Sequence, residues 1–291
     1  MEARISERVV ERFVVFHCKG DACVGVISAP QDVADFGIVV IVGGPQYRIG
    51  SHRQFALLAR ALAETGVPCL RFDYRGMGDS EGERRGFEDI SADIAAAIDA
   101  LCRETGCSRV VLWGLCDGAS AALIHATRDA RIAGVAAINP WAHTQHQEAT
   151  VRLRHYYLHR FVERAFWVKW FSGTFDIRRS VRGLLATIRK AFATTHGERV
   201  GFLDRMQQSW KRFTGPVLIV LSGNDLTARE FESWISSDGS RRLLLSSGTT
   251  QTCRMASADH TFSSRTECDH LSQVTAEWMK SAVLGAYNAA K

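Results

Sequence analysis

The chain has 291 residues, 46% of them hydrophobic, which is enough to bury one large core with an insertion or two domains. A formal charge of +5 is too modest to point to nucleic acid by itself, and no apolar run reaches membrane-spanning length. Eight cysteines are scattered without C-x-x-C pairs or nearby clusters of cysteine and histidine, so neither zinc nor a disulfide framework is expected, and a cytoplasmic location is the default for a start such as MEARISERVVERF.

Residues 9–29 read as a hairpin with its turn at Gly20-Asp21. GIVVIV at 37–42 is a continuous apolar run, the pattern of a strand buried on both faces. It leads into GGPQYRIGSHRQF, after which FALLARALAETG has helical periodicity up to Gly66. VPCLRFDYRG is the next buried strand, and FEDISADIAAAIDALCRETG a helix with acidic residues in its first turn. VVLW, IAGVAAINP and GPVLIVLSGND supply further strands. A single helix is expected over AREFESWISSDGSRRLLL, a short last strand at TTQTCRM, a loop at SADHTFSS, and a closing helix over CDHLSQVTAEWMKSAVLGAY. Strand and helix patterns alternating in this way indicate a mostly parallel, doubly wound α/β sheet.

Residues 1–144 and 213–291 are thus assigned to the core, and 145–212 to a helical cap inserted between two strands. Positions 151–214 carry 14 Lys and Arg against 4 Asp and Glu, interleaved with aromatic residues, and the rest of the chain is net acidic. An amphipathic helical pair with solvated arginines explains this composition, as does a surface for an anionic substrate or peripheral membrane contact. No nucleic-acid-binding motif accompanies it.

The chemistry centres on VVLWGLCDGASAALIHA at 110–126. An apolar strand, then Gly114-Leu115-Cys116-Asp117-Gly118, then small helix formers, is the strand-turn-helix arrangement of a nucleophile elbow, with cysteine where serine usually stands. A nucleophile on so sharp a turn needs almost no side chain two residues before and after it, which Gly114 and Gly118 supply. Chain order then asks for an acid and a histidine in loops at the carboxyl ends of later strands. Asp225 leaves VLIVLSGND and His260 lies just past the final strand, although Asp225 also reads as a simple turn former. His260 would take the Cys116 proton, or the two would rest as an ion pair, with Asp225 orienting the imidazole. The oxyanion would be met by the Asp117 N–H and by an amide of the GGPQ turn, where Pro45 has none, so that Gln46 is preferred over Gly44. The Asp117 carboxylate opposes thiolate formation, and its plain role is a first-turn acid favoured by the helix dipole. No cofactor or metal is implied.

On GGPQYRIGSHRQF, LRFDYRGMGDSEG, LWGLCDGASAAL, SGNDLTAREF and ADHTFS, the chain resembles the exosortase A system-associated hydrolase 1 family, bacterial α/β-hydrolases encoded beside exopolysaccharide and protein-sorting genes. The resemblance implies the α/β-hydrolase fold and Cys116, Asp225 and His260 as triad, with Gly118 departing from an alanine common in the family. Three functions remain open: hydrolysis of an ester or thioester in a small-molecule or lipid-linked substrate, acyl transfer through the same acyl-cysteine, and non-catalytic docking through the basic cap around Arg152, Arg154 and Arg160.

Overall fold

The computed structural model describes residues 9–31, 35–44, 46–142 and 199–289. Most of the expected cap, including Arg152, Arg154 and Arg160, and Pro45 of the GGPQ turn lie outside these residues. The described residues up to Ala142 and from Arg205 onward form one compact unit.

Its centre is an eight-stranded sheet: β1 (Val9–Cys18), β2 (Asp21–Pro30), β3 (Phe36–Ile41), β4 (Cys69–Asp73), β5 (Arg109–Leu115), β6 (Ile132–Ile138), β7 (Val217–Asn224) and β8 (Thr250–Asp259). The spatial order is β1-β2-β4-β3-β5-β6-β7-β8. From β4 onward every pairing is parallel, whereas β1 and β2 form an antiparallel hairpin and β2 runs antiparallel to β4. The hairpin turn falls on Lys19-Gly20, one residue earlier than its sequence suggests. Both residues have positive φ, 51° and 98°, the geometry that matches the twist of two antiparallel strands.

The helices are α1 (Gln54–Glu64), α2 (Ser91–Thr105), α3 (Asp117–His125), α4 (Arg199–Arg212), α5 (Leu226–Ser236), α6 (Gly239–Leu245) and α7 (Arg265–Trp278). A π-turn at Met279–Val283 then leads into α8 (Leu284–Ala289). The expected single helix over 228–245 is two. Asp238 interrupts it because its carboxylate accepts from the Ser240 and Arg241 amides and so starts α6 afresh. The last strand is also longer than TTQTCRM suggests. β8 continues to Asp259 because it pairs along the whole of β7, where burial and hydrogen bonding outweigh the polar composition of its second half.

Both faces of the parallel strands are buried. Ile38, Val40, Val111, Trp113, Ile138 and Val220 share one cluster with Phe55 and Leu62 of α1 and with Leu271 and Trp278 of α7. On the other face α2 lies so close that a Cβ on Gly37 would come within 2.8 Å of the Leu101 side chain. The parallel arrangement brings the carboxyl ends of β3, β5, β7 and β8 to one edge. Among the described residues no helix is long and apolar enough to cross a membrane.

Candidate active site

β5 ends at Leu115, and the chain turns into α3 through Cys116, whose φ of 60° and ψ of −124° lie in a region that side chains disfavour. The surroundings hold it there. Cys116 N–H donates to the Ile138 carbonyl at 2.9 Å, and Trp141 N–H donates to the Cys116 carbonyl at 3.1 Å. Three glycines permit the close crossing beneath. A Cβ on Gly114 would lie 2.3 Å from the Gly118 carbonyl oxygen, one on Gly118 2.4 Å from that of Ile41, and one on Gly43 2.4 Å from that of Leu115. The end of β3 and the elbow therefore meet backbone to backbone.

Asn224 at the end of β7 is paired with Asp259 at the end of β8, which sets the next residue of each chain side by side. His260 Nδ1 lies 2.8 Å from Asp225 Oδ2. The carboxylate of Asp225 also caps α5, accepting from the Thr227 and Ala228 amides at 3.1 and 3.2 Å. Turn former and histidine partner are thus the same group, with Asp225 buried and the His260 ring about one-third exposed.

Cys116 is half-buried, and burial followed by the charge of neighbouring Asp117 pushes its thiol well above the ordinary range, while the Asp117 N–H works in the opposite direction. Among the described residues no hydrogen bond joins Cys116 Sγ to His260. Burial and the Asp117 charge both favour the protonated thiol over the thiolate.

Of the amides considered for the oxyanion, Asp117 N–H faces Cys116, and Gly44 N–H faces the Asp117 carboxylate. Nothing among the described residues accepts from Gln46 N–H, and the Gln46 side chain receives a long contact of 3.5 Å from Gln54. His52, in the same loop, is exposed and has a positive φ of 53°.

Two supports around the site carry no periodic signature in the sequence. Arg48 is tied to Asp73 through its backbone N–H at 2.7 Å and through its guanidinium, and the guanidinium also meets Asp79 at 2.7 Å. Buried Asn139 donates to Ser222 Oγ at 2.9 Å and accepts from Ser222 N–H at 2.8 Å, which locks the ends of β6 and β7 together. The polar residues after apolar strands, Asp73 and Asn139, were the only available signal. Among the described residues no group of three His, Cys, Asp or Glu side chains is placed to hold a metal ion.

The model of a family described as "Alpha/beta hydrolase family" matches residues 38–274. Similar proteins include the quorum-quenching protein AidA of Acinetobacter baumannii, 32% identical over 42% of this chain and 41% of its own length. The polyketide transferase grgF of a Penicillium species is 34% identical over 28% of this chain and 30% of its own. The chain thus spans less than half the length of these curated relatives. Among solved structures, the Pyrococcus furiosus esterase Pf2001 superposes with a TM-score of 0.64 at 14% identity, covering 94% of this chain and 92% of that one, a likeness of fold.

Proposed function

The chain belongs to the alpha/beta hydrolase family, and from that premise we propose that it cleaves a carboxylic ester or thioester through an acyl-cysteine intermediate. The observation that carries this reading is the His260–Asp225 pair at 2.8 Å, held on the same sheet edge as the strained Cys116 elbow.

Because burial and the Asp117 charge favour the protonated thiol, the first step is a proton transfer. Cys116 turns toward His260, the imidazole Nε2 takes the Sγ proton, and Asp225 stabilises the imidazolium through Nδ1. Sγ bonds to the acyl carbon as the carbonyl π pair moves to oxygen, and the Asp117 and Gln46 amides receive that oxyanion. On collapse the bond to the leaving alcohol or thiol breaks and His260 returns the proton to it. Water, deprotonated by His260, then attacks the thioester and releases the acid and the thiol.

Two features favour acyl transfer as a second reading. A thioester passes its acyl group readily to an amine or alcohol, and one of the similar proteins is named a polyketide transferase. The exosortase and exopolysaccharide association belongs to this proposal too, with an acylated saccharide or lipid-linked precursor as substrate and residues 145–212 as the cap that admits it.

Intact-protein mass spectrometry after incubation with a panel of activated esters and acyl-thioesters tests the reading. An acyl adduct on the wild type, absent from Cys116→Ala and formed far more slowly by His260→Ala, is expected. An adduct that persists in Cys116→Ala would overturn it. If an added alcohol or amine captures the acyl group far beyond its molar share over water, transfer replaces hydrolysis.

A further inference from the structure

The mechanism above uses only the backbone N–H of Asp117 and leaves its side chain without a task. That side chain sits where the elbow meets the turn after β3. Gly118 N–H donates to its Oδ1 at 3.0 Å, and Gly44 N–H faces the same carboxylate. A Cβ built on Gly43 would lie 2.2 Å from Asp117 Oδ1, so the turn's backbone runs against the carboxylate with no room between them. This arrangement is unfavourable in two respects. Burial raises the Asp117 pKa to about 6, and the carboxylate's charge is, after burial itself, what most opposes ionisation of the Cys116 thiol. Local costs of this kind concentrate where function compensates them.

The turn explains the compensation. Gly43 and Gly44 are followed by Pro45, and Gly44 has a φ of 61°, a conformation that glycine enters and leaves freely. Oxyanion donors act only when held within a few tenths of an ångström of their place. Downstream, the turn is fixed by the Arg48 N–H bond to buried Asp73. Upstream, the group in position to fix it is Asp117.

On the acyl-cysteine reading, we propose that the Asp117 side chain is a positioning residue: its carboxylate clamps the Gly43-Gly44 turn onto the elbow and so sets the spacing between the Asp117 and Gln46 amides that receive the acyl oxygen. The stretch between residues 44 and 48 is thereby gripped at both ends by carboxylates from different parts of the sheet edge.

The test compares Asp117→Asn, which keeps an acceptor oxygen, with Asp117→Ala and Asp117→Leu, which remove it, Leu filling nearly the same volume. Hydrogen exchange read on a peptide spanning residues 42–48 should accelerate at least about tenfold in Ala and Leu and stay near wild type in Asn. With p-nitrophenyl butyrate as probe, kcat should fall on the order of 100-fold in Ala and Leu, KM should change little, and Asn should recover most of the loss. Unchanged exchange in the variants lacking an acceptor, or equal losses of kcat in Asn and Leu, would overturn the clamp. Should Ala not fold, Leu and Asn decide. If the wild type does not turn the ester over, the acyl-cysteine reading fails on that count while the exchange measurement still judges the clamp.

Discussion

Asp225 Oδ2 is shared between His260 Nδ1, at 2.8 Å, and the Ala228 amide that opens α5, at 3.2 Å. The group that orients the imidazole is therefore itself oriented by a helix terminus, so the two duties can be separated by substitution. Asp225→Asn keeps an acceptor for the cap but no longer stabilises an imidazolium. Ester turnover should fall by about 10³ to 10⁴ with melting temperature nearly unchanged. Asp225→Ala should lose the same activity and, in addition, about 1 kcal/mol of stability in urea titration.

The glycines under the elbow give a prediction with an internal control. Gly114→Ala would place a methyl group 2.3 Å from the Gly118 carbonyl oxygen, a contact relieved only by separating β5 from α3. A loss above about 3 kcal/mol, or failure to recover soluble protein, is expected. Gly86→Ala meets nothing within 4 Å and should change the denaturation midpoint by no more than about 0.5 kcal/mol equivalent. Equal effects of the two would mean that the crossing of β5 and α3 has room for a methyl group.

His125, on α3, is buried, and among the described residues neither ring nitrogen has a hydrogen-bond partner of normal geometry. Burial, helped by the Arg128 charge, lowers its pKa to about 4. A histidine depressed in the folded state leaves the unfolded chain holding more protons between about pH 4 and 6.5. Its contribution is complete above pH 6.5 and lost as pH falls toward 4, by roughly 2 to 3 kcal/mol at most. Asp117, raised to about 6, acts with the opposite slope, adding stability as pH falls from 6 toward 4. The difference between wild type and His125→Phe in denaturant titrations isolates the histidine: wild type should lose stability relative to His125→Phe as pH falls from about 6.5 toward 4, and the difference should level off below about pH 4, where the ring is charged in both states. A difference that does not vary with pH would dismiss the depressed pKa.

Arg48 neutralises Asp73, whose side chain is wholly buried. Arg48→Ala leaves that carboxylate without its cation, at a cost of about 3 kcal/mol. The backbone N–H bond of residue 48 to Asp73 survives the substitution, so only the guanidinium's links to Asp73 and Asp79 are lost from the downstream end of the GGPQ turn, and ester turnover should fall modestly below the temperature at which the variant begins to melt. Arg48→Lys, which keeps the charge without the fork, should recover stability more fully than turnover.

Much of this was legible in the chain itself. β3, β4, β5, β6 and β7 announce themselves as apolar runs because strands covered on both faces have no polar side. Gly114 and Gly118 declare the sharp turn around Cys116, and topology puts Asp225 and His260 at neighbouring strand ends. The parts that were not legible depend on contacts between distant segments. The second half of β8 is polar and becomes a strand only because β7 lies beside it. Asp238 looks like any helix residue until its side chain is seen turning back on the Ser240 amide. The Asp117 carboxylate reads as a first-turn acid, since nothing local says that Gly43 will run against it. Asn139 and Ser222 are 83 positions apart, and no pattern in either neighbourhood names the other.

The backbone bonds that hold Cys116 also date the site in the life of the chain. Its amide answers to Ile138 and its carbonyl to Trp141, both made more than twenty residues later. A growing polypeptide that has just released residue 116 from the ribosome carries the sulfur but not the conformation, which an isolated turn would relax at once. The conformation of Cys116 is consequently a property of the assembled sheet, acquired only after β6 has been synthesised and docked. Until then Cys116 is an ordinary cysteine, with none of the backbone strain that the folded elbow imposes on it.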